Sequence, residues 1–322
     1  MNPMNVSTVM SVYNPNEFLE KQLDSIRNQS SACDEVILVD DCSTNDAVCR
    51  VNSYIEKYSL DHWKLYKSKK NRGFIETFRK GLSLASGDII VLCDQDDIWK
   101  IDKVESIKHE FEIHPEILAL GTSFEAIDEF DQTIPIVVHK GKSNNNLLRK
   151  KVEKGKLTPL AYRDIAIYNF TPGCTAAIRS SLKNDYLQWT GDLPHDWALF
   201  AIAALNDGLF YLDKKTTLYR QHGSNTYGLK HLSSLENRKK RAAEDYTQKQ
   251  ALASLVQTFS KRKNDQNMAK KVEKFYEKRL QMLKQKNLAA ASMLLVESLQ
   301  YPFLYQTIGA DIKSIFDSRK ST

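Results

Sequence analysis

The chain has 322 residues, 42% hydrophobic and 27% charged, the proportions of a soluble globular protein with one large domain or a domain plus an appendage. It shows no N-terminal apolar signal segment and no run of about 18 apolar residues, so neither secretion nor a membrane span is expected. Its five cysteines, Cys33, Cys42, Cys49, Cys93 and Cys174, have no CxxC spacing and read as reduced cytosolic thiols rather than a disulfide frame or zinc site.

Val6 to Val12 is a β-rich run ending at Tyr13-Asn14-Pro15, a strand followed by a turn. Phe18, Leu19, Gln22, Leu23 and Ile26 then repeat at helical spacing. Val36 to Val39 is a second strand and runs into Asp40-Asp41-Cys42-Ser43-Thr44. Val48, Val51 and Ile55 mark the next helix, and His62 to Tyr66 alternates as a third strand. After the turn at Asn71-Arg72-Gly73, a third helical stripe carries Ile75, Phe78, Leu82 and Ala85. Ile89 to Cys93 is an unbroken apolar run, as in a central strand covered on both faces.

That strand ends in three carboxylates within four positions, Asp94, Asp96 and Asp97, with Gln95 among them. So much negative charge at the mouth of a buried strand calls for a positive partner. A divalent cation with oxygen ligands supplies one and leaves positions for phosphate. Taken alone, a DxDD is more readily a solvated acidic turn. The alternation of strands and helices over the first hundred residues argues an α/β domain with a mainly parallel sheet. In such sheets the ligand crevice lies outside the carboxyl ends of the strands. Ser11 and Tyr13, Asp40 and Asp41, and Asp94 to Asp97 all fall at strand ends, which favours the metal reading. No GxGxxG and no GxxxxGK[ST] follows the first strand, which disfavours a dinucleotide dehydrogenase and a P-loop NTPase.

Leu118 to Gly121 reads as another strand, and the polar stretch from Asp128 to Lys156 as a mobile surface connection. Ile165 to Phe170 reads as strand-like and leads to Thr171-Pro172-Gly173-Cys174-Thr175, either a simple turn or a place where backbone approaches a ligand. Asp196 opens the apolar helix ALFAIAAL, either as a helix-start charge or as a general base. Leu209 to Leu212 and Thr216 to Tyr219 read as short strands before Arg220-Gln221-His222-Gly223-Ser224-Asn225, where a histidine is more often structural than a ligand. From Lys230 on, the pattern becomes long helices with stripes at Leu252, Leu255, Val256 and Phe259 and at Val272, Phe275, Leu280 and Leu283. The apolar run Leu288 to Leu299, followed by Tyr301, Phe303 and Leu304, is too short to span a bilayer. Docking on the α/β domain, pairing between subunits as a homo-oligomer, and lying on a membrane surface stay open. The net charge is +6. Residues from Lys230 on hold 19 Lys+Arg against 9 Asp+Glu, and the preceding ones 27 against 31. A basic tail of this kind meets nucleic acid or anionic lipid, or is simply solvated. It has few aromatics among its lysines and no nucleic-acid motif, so no nucleic-acid partner is expected.

Taken together, VMSVYN with LEKQLDSIRNQS, EVILVDDCST, NRGF before GDIIVLCDQDD, and HDWALF before LYRQHGSN resemble the inverting family 2 glycosyltransferases of the GT-A fold, over residues 4–228. DQDD, HDW and YRQHG look most like its rhamnosyltransferase-like branch. The resemblance implies a GT-A domain at 1–228, a Rossmann-like, mainly parallel sheet flanked by helices, and a basic helical C-terminal region at 229–322. It also implies residue roles. Ser11 and Tyr13 would meet the nucleotide base, and Asp41 would accept from its imide N–H. Asp96 would hold the ribose, Asp94 would face the donor sugar, and Arg72 is the candidate for the diphosphate. Asp97 and His222 would serve Mn²⁺ or Mg²⁺, and Asp196 would be the general base. Gly173, Cys174, His195 and Trp197 would lie near the acceptor or sugar. Ser11 replaces a more common Pro or Thr, and His195 stands where many relatives have an acid. The implied partners are a nucleotide-diphosphate sugar, with dTDP-rhamnose ahead of a UDP-hexose, and a saccharide acceptor on a lipid carrier. The implied location is the cytoplasm, at the inner face of the membrane. A nucleotidyltransferase is a rival reading on a similar sheet, though SVYNPNEF lacks the Gly-rich basic loop it would need.

Overall fold

A computed structural model describes residues 3–136, 147–148, 150–222, 234–301 and 304–320. The chain falls into two compact units. The first holds a ten-stranded sheet. Its strands and helices begin as β1 (Val6–Val12), α1 (Leu19–Arg27), β2 (Glu35–Asp40), α2 (Ala47–Lys57), β3 (Trp63–Lys67), α3 (Phe74–Leu84) and β4 (Ile89–Cys93). They continue with β5 (Ile98–Trp99), α4 (Lys103–Ile113), β6 (Ala119–Ile127), β7 (Thr133–Ile134) and β8 (Leu157–Pro159). The second unit begins with the single turn α5 (Tyr162–Ile165). The chain then returns to the sheet with a 3₁₀ turn at Gly173–Thr175, β9 (Ala176–Arg179), α6 (Ser180–Gln188), α7 (His195–Leu205) and β10 (Leu209–Arg220). The helices α8 (Leu235–Phe259), α9 (Lys263–Gln285), α10 (Leu288–Ser298) and α11 (Tyr305–Lys320) complete the second unit.

The strand order is β3-β2-β1-β4-β9-β6-β10-β5. β1, β2, β3 and β4 pair in parallel, as the alternation of strands and helices requires. The order reverses between β1 and β4, and a ligand crevice forms outside the carboxyl ends at such a switch point. β9 then enters antiparallel to both β4 and β6. The apolar run of β4 is fully buried. Each such side chain contributes roughly 1.5–3 kcal/mol by leaving water.

Three sequence expectations change. Ile165–Phe170 is not a strand: Ile165 closes the single turn α5, and the chain from 166 to 170 runs on without regular structure. Tyr162–Phe170 also groups with the C-terminal helices and not with the sheet. Leu209–Leu212 and Thr216–Tyr219 are one strand, β10, broken by register shifts around Lys215 rather than by a turn. β6 runs on to Ile127, and its partner β7 lies inside the stretch expected to be a surface connection. Residues 137–146 and 149 of that connection lie outside the described residues, as do Gly223, Ser224, Asn225 and Phe303.

In the second unit, Tyr168, Val272, Phe275, Leu283, Leu294, Leu304 and Ile308 share one core. A polar knot crosses it. Buried Arg279 donates to Asp311 at 2.7 Å and to Asp245 at 2.8 Å, tying α9 to α11 and α8. Among the described residues, no helix is long and apolar enough to cross a membrane.

Candidate active site

The strand ends are knitted together by side-chain-to-backbone bonds. Gln95, just past β4, accepts from the Tyr13 N–H at 2.8 Å and donates to the Tyr13 carbonyl at 3.1 Å. The loop after β1 is therefore held to the acidic turn, and the Tyr13 ring is left 43% exposed. Asn14 donates through its N–H to Ser43 Oγ and accepts from Thr44 N–H, which joins the loops after β1 and β2. Ser11 lies in β1 opposite Val39 and is half-buried. Asp41 is buried, and its two oxygens accept from the N–H groups of Arg72 and Gly73 at 2.9 and 2.7 Å. Gly73 has φ 82°, a conformation that favours glycine, and caps α3 there. The Arg72 side chain is exposed at the same turn.

Asp94 and Asp97 converge with Cys174, with one ligand-type atom from each lying within 4.8 Å of the others. Asp97 is fully buried. Its Oδ1 accepts from the Arg220 N–H at 2.9 Å, while Oδ2 is buried without a hydrogen-bond partner. Burial, reinforced by the charge of Asp96, pushes the Asp97 carboxyl up to about 7. Asp94 is raised as well, by burial first and then by Asp97, Asp96 and Asp196. Burial also raises the Cys174 thiol, with the two aspartates adding to the effect, so the sulfur stays neutral and the oxygens are the better ligands. An orphaned buried carboxylate oxygen among mutually repelling acids fits a divalent cation. His222 Nε2 sits 2.8 Å from Asp96 Oδ2, and its ring leans on Phe18 at 5.5 Å. It is thus placed beside the acidic turn through Asp96.

Asp196 and His195 come from the first turn of α7, whose eleven residues, Trp197 included, are all buried. Asp196 Oδ1 accepts from the Trp197 N–H at 2.8 Å. The His195 ring stacks on Phe78 at 3.7 Å, and neither ring nitrogen has a hydrogen-bond partner. Burial pushes its pKa down to about 3, so the ring is neutral. Gly173 explains how Asp196 reaches the acids. A Cβ added there would lie 3.3 Å from Asp196 Oδ2 and 3.2 Å from His195 Nε2, so glycine lets the turn close on α7. The next residue, Cys174, joins Asp94 and Asp97. Asp196 and the acidic cluster are thereby brought to neighbouring positions of one turn.

Hydroxyls fix that turn. Thr171 Oγ1 donates to the Thr122 carbonyl at 2.9 Å and lies 2.7 Å from Thr175 Oγ1. Thr175 Oγ1 donates to the Pro172 carbonyl at 2.7 Å, and Thr122 Oγ1 lies 2.6 Å from Thr216 Oγ1. Buried Lys103 supports it from below, donating to the Cys174 carbonyl at 2.6 Å and to Thr217 Oγ1 at 2.9 Å over the Trp99 ring.

The family model for Glycosyl transferase family 2 matches residues 7–184. The chain belongs to this family. An uncharacterized glycosyltransferase of Haemophilus influenzae is 26% identical over 253 residues, 75% of this chain and 73% of the relative. A dTDP-rhamnosyl transferase of Shigella flexneri, RfbG, is 25% identical over 231 residues, 68% of this chain and 73% of its own length. Among solved structures, residues 1–349 of S. aureus TarS in complex with UDP-GlcNAc align with a TM-score of 0.58 at 16% identity, over 99% of this chain and 93% of that one. A mannosyltransferase of Pyrobaculum calidifontis in complex with GDP-Man and Mn²⁺ aligns at 0.57 and 16%, over 98% and 88%. These two likenesses establish the GT-A fold. This family 2 glycosyltransferase therefore carries its acids where the expected sheet put them. The supports that sequence reasoning missed are Gln95, Lys103, the threonine set and the spacing role of Gly173. Lys103 lies in a stretch between the acidic turn and Leu118 that the sequence reading did not assign, and nothing in its neighbourhood marked it as buried.

Proposed function

We propose that the protein is an inverting glycosyltransferase that moves a sugar from a nucleotide diphosphate to a saccharide hydroxyl, with residues 1–228 as the catalytic domain and 229–322 as a basic helical region. The base and ribose would lie over Ser11, Tyr13, Asp41 and Asp96. The exposed Arg72 side chain would reach the diphosphate. Asp97, with Asp94 beside it, would hold Mg²⁺ or Mn²⁺, and His222 would steady Asp96. When bound, the cation neutralises the departing diphosphate. Asp196 takes the proton of the acceptor hydroxyl as that oxygen attacks the anomeric carbon. The carbon–phosphate oxygen bond breaks as the new glycosidic bond forms, and one displacement inverts the centre. Gly173, His195 and Trp197 shape the acceptor side of Asp196. The observation that carries this reading is the single turn that packs against Asp196 at Gly173 and joins Asp94 and Asp97 at Cys174.

The donor favoured is dTDP-rhamnose, supported by the Shigella flexneri relative and the HDW and YRQHG forms. A UDP-hexose is the second reading, supported by the UDP-GlcNAc complex of TarS. The acceptor proposed is a growing surface polysaccharide on a lipid carrier at the cytoplasmic face of the membrane. Calorimetric titration of dTDP, UDP and GDP with and without Mn²⁺ tests this. The expected result is dTDP binding at least about tenfold tighter than GDP, a difference of about 1.4 kcal/mol, and only with the cation. UDP binding tightest moves the donor to the second reading. Binding of none of the three, with or without Mn²⁺, overturns the nucleotide-sugar assignment.

A further inference from the structure

α10 is mostly apolar, reading LAAASMLLVES, with Ser292, Ser298 and the ion-paired Glu297 as its polar residues. One face does what such a face should: Ala291 and Leu294 enter the core of the second unit. The other faces outward. Met293, Val296 and Leu299, spaced three apart, are 70%, 68% and 67% exposed, and Leu295 flanks them. On α11, which packs against α10, Phe316 is also exposed, with exposed Lys313 one helical turn before it. Half of the large exposed apolar side chains among the described residues lie on these two helices or at the C-cap of α10. A helix this rich in apolar residues is normally buried or set in a membrane, so its outward face calls for a cover.

The charge around it selects the cover. Lys284 and Lys286 stand immediately before α10, Lys284 exposed and Lys286 half-buried. The region from Lys230 on holds 19 basic against 9 acidic residues. Six of those acids are paired with basic partners: Glu236, Glu244, Asp245, Asp265, Glu297 and Asp311. A second copy meeting it through the same face would bring the same excess positive charge to the contact. Anionic lipid headgroups bring the opposite charge, and the acyl boundary accepts Met, Val, Leu and Phe.

We infer that the Met293–Val296–Leu299 stripe with Phe316, together with Lys284, Lys286 and Lys313, seats the protein on an anionic membrane surface. This inference is independent of the donor and acceptor assignments, and its test requires no sugar transfer. The full chain is sedimented with vesicles of phosphatidylcholine alone and of phosphatidylcholine mixed with phosphatidylglycerol. Binding is expected to the mixed vesicles, weakening as salt rises from about 0.1 M to 1 M and the Debye length falls from about 10 to 3 Å. The combined variant Met293→Ser, Val296→Ser, Leu299→Ser should lose at least about tenfold in partition. Phe130→Ser, which changes an exposed apolar residue of the sheet unit, should lose none. If the serine variant melts below the wild type, Lys284→Glu with Lys286→Glu and Lys313→Glu takes its place and should abolish the preference for anionic vesicles. Three results overturn the inference: no vesicle binding, equal binding to both vesicle types, or a wild-type dimer that the serine variant splits in sedimentation velocity without any vesicle binding.

Discussion

Three buried side chains near one turn differ in their surroundings, and those differences separate their roles. Asp97 has an orphaned oxygen and a carboxyl pushed up to about 7, so it is built for a cation. His195 is pushed down to about 3 by burial and stacks on Phe78, so it serves as a neutral wall. Asp196 keeps Oδ2 toward Gly173 while Oδ1 holds the Trp197 N–H. Asp196→Asn retains that Oδ1 bond and the shape of the site but cannot accept a proton. Its rate should fall by about 10²–10⁴-fold, with nucleotide and Mn²⁺ affinity unchanged, because that part of the site is built from other residues. If Asp196 were a helix-start charge alone, the variant would instead lose roughly 0.3–1 kcal/mol of stability and keep its turnover. A rate assay and a thermal melt on the same protein separate the two cases.

At the scale of elements, the helices of the second unit are joined by charges that water does not reach. Lys249 of α8 is buried, with Nζ 4.9 Å from the Tyr276 ring and 5.5 Å from that of Tyr168. Burial pulls its pKa down to about 7. Asp245 opposes the shift, and Arg241 and Arg279 add to it. Between pH 7 and the unfolded value of 10.5, the unfolded chain therefore holds a proton that the folded chain has released. Unfolding free energy rises with pH through that window and is lowest below 7, where the buried amine is charged. The full change is of order 3–5 kcal/mol. The buried thiols of Cys33, Cys93 and Cys174 and the Tyr276 hydroxyl are raised by burial and act in the opposite direction at the alkaline end, so the comparison belongs between pH 7 and about 8.5. Urea unfolding across that range should show rising stability for the wild type and a flatter profile for Lys249→Met. A wild-type profile as flat as the variant's would mean that Lys249 keeps its proton when folded.

For the molecule as a whole, the acids of the site work against the fold that holds them. Asp94 and Asp97 repel each other in a buried setting, a cost the protein bears for function. Asp97→Asn relieves that repulsion and keeps an oxygen for the Arg220 N–H. Without ligands, its melting temperature should equal or exceed that of the wild type. Mn²⁺ with nucleotide at about 100 times Kd should stabilise the wild type by about 2.7 kcal/mol, and the variant by almost nothing. An equal shift in both proteins would remove Asp97 from the cation site.

The sequence by itself determined the alternation of strands and helices, because apolar runs bounded by turns have few other ways to be buried. It also placed Asp41, Asp94, Asp96 and Asp97 at strand ends, since a carboxylate is costly to bury in the middle of an apolar strand. The basic character of the C-terminal region is likewise a matter of counting. What lay beyond sequence reasoning were contacts across long separations. Lys103 reaches Cys174 and Thr217, 71 and 114 residues away, and a lysine otherwise reads as surface. β9 enters antiparallel between β4 and β6, a pairing that local periodicity does not encode. Gly173 read as part of either a simple turn or a close approach to a ligand, and its contact with α7 came only with the packing. Ile165–Phe170 has strand-like composition, but it pairs with no strand and its place is with the C-terminal helices, where Tyr168 joins their core. Local chemistry was legible in the chain; the partners that fix its geometry were set by tertiary packing.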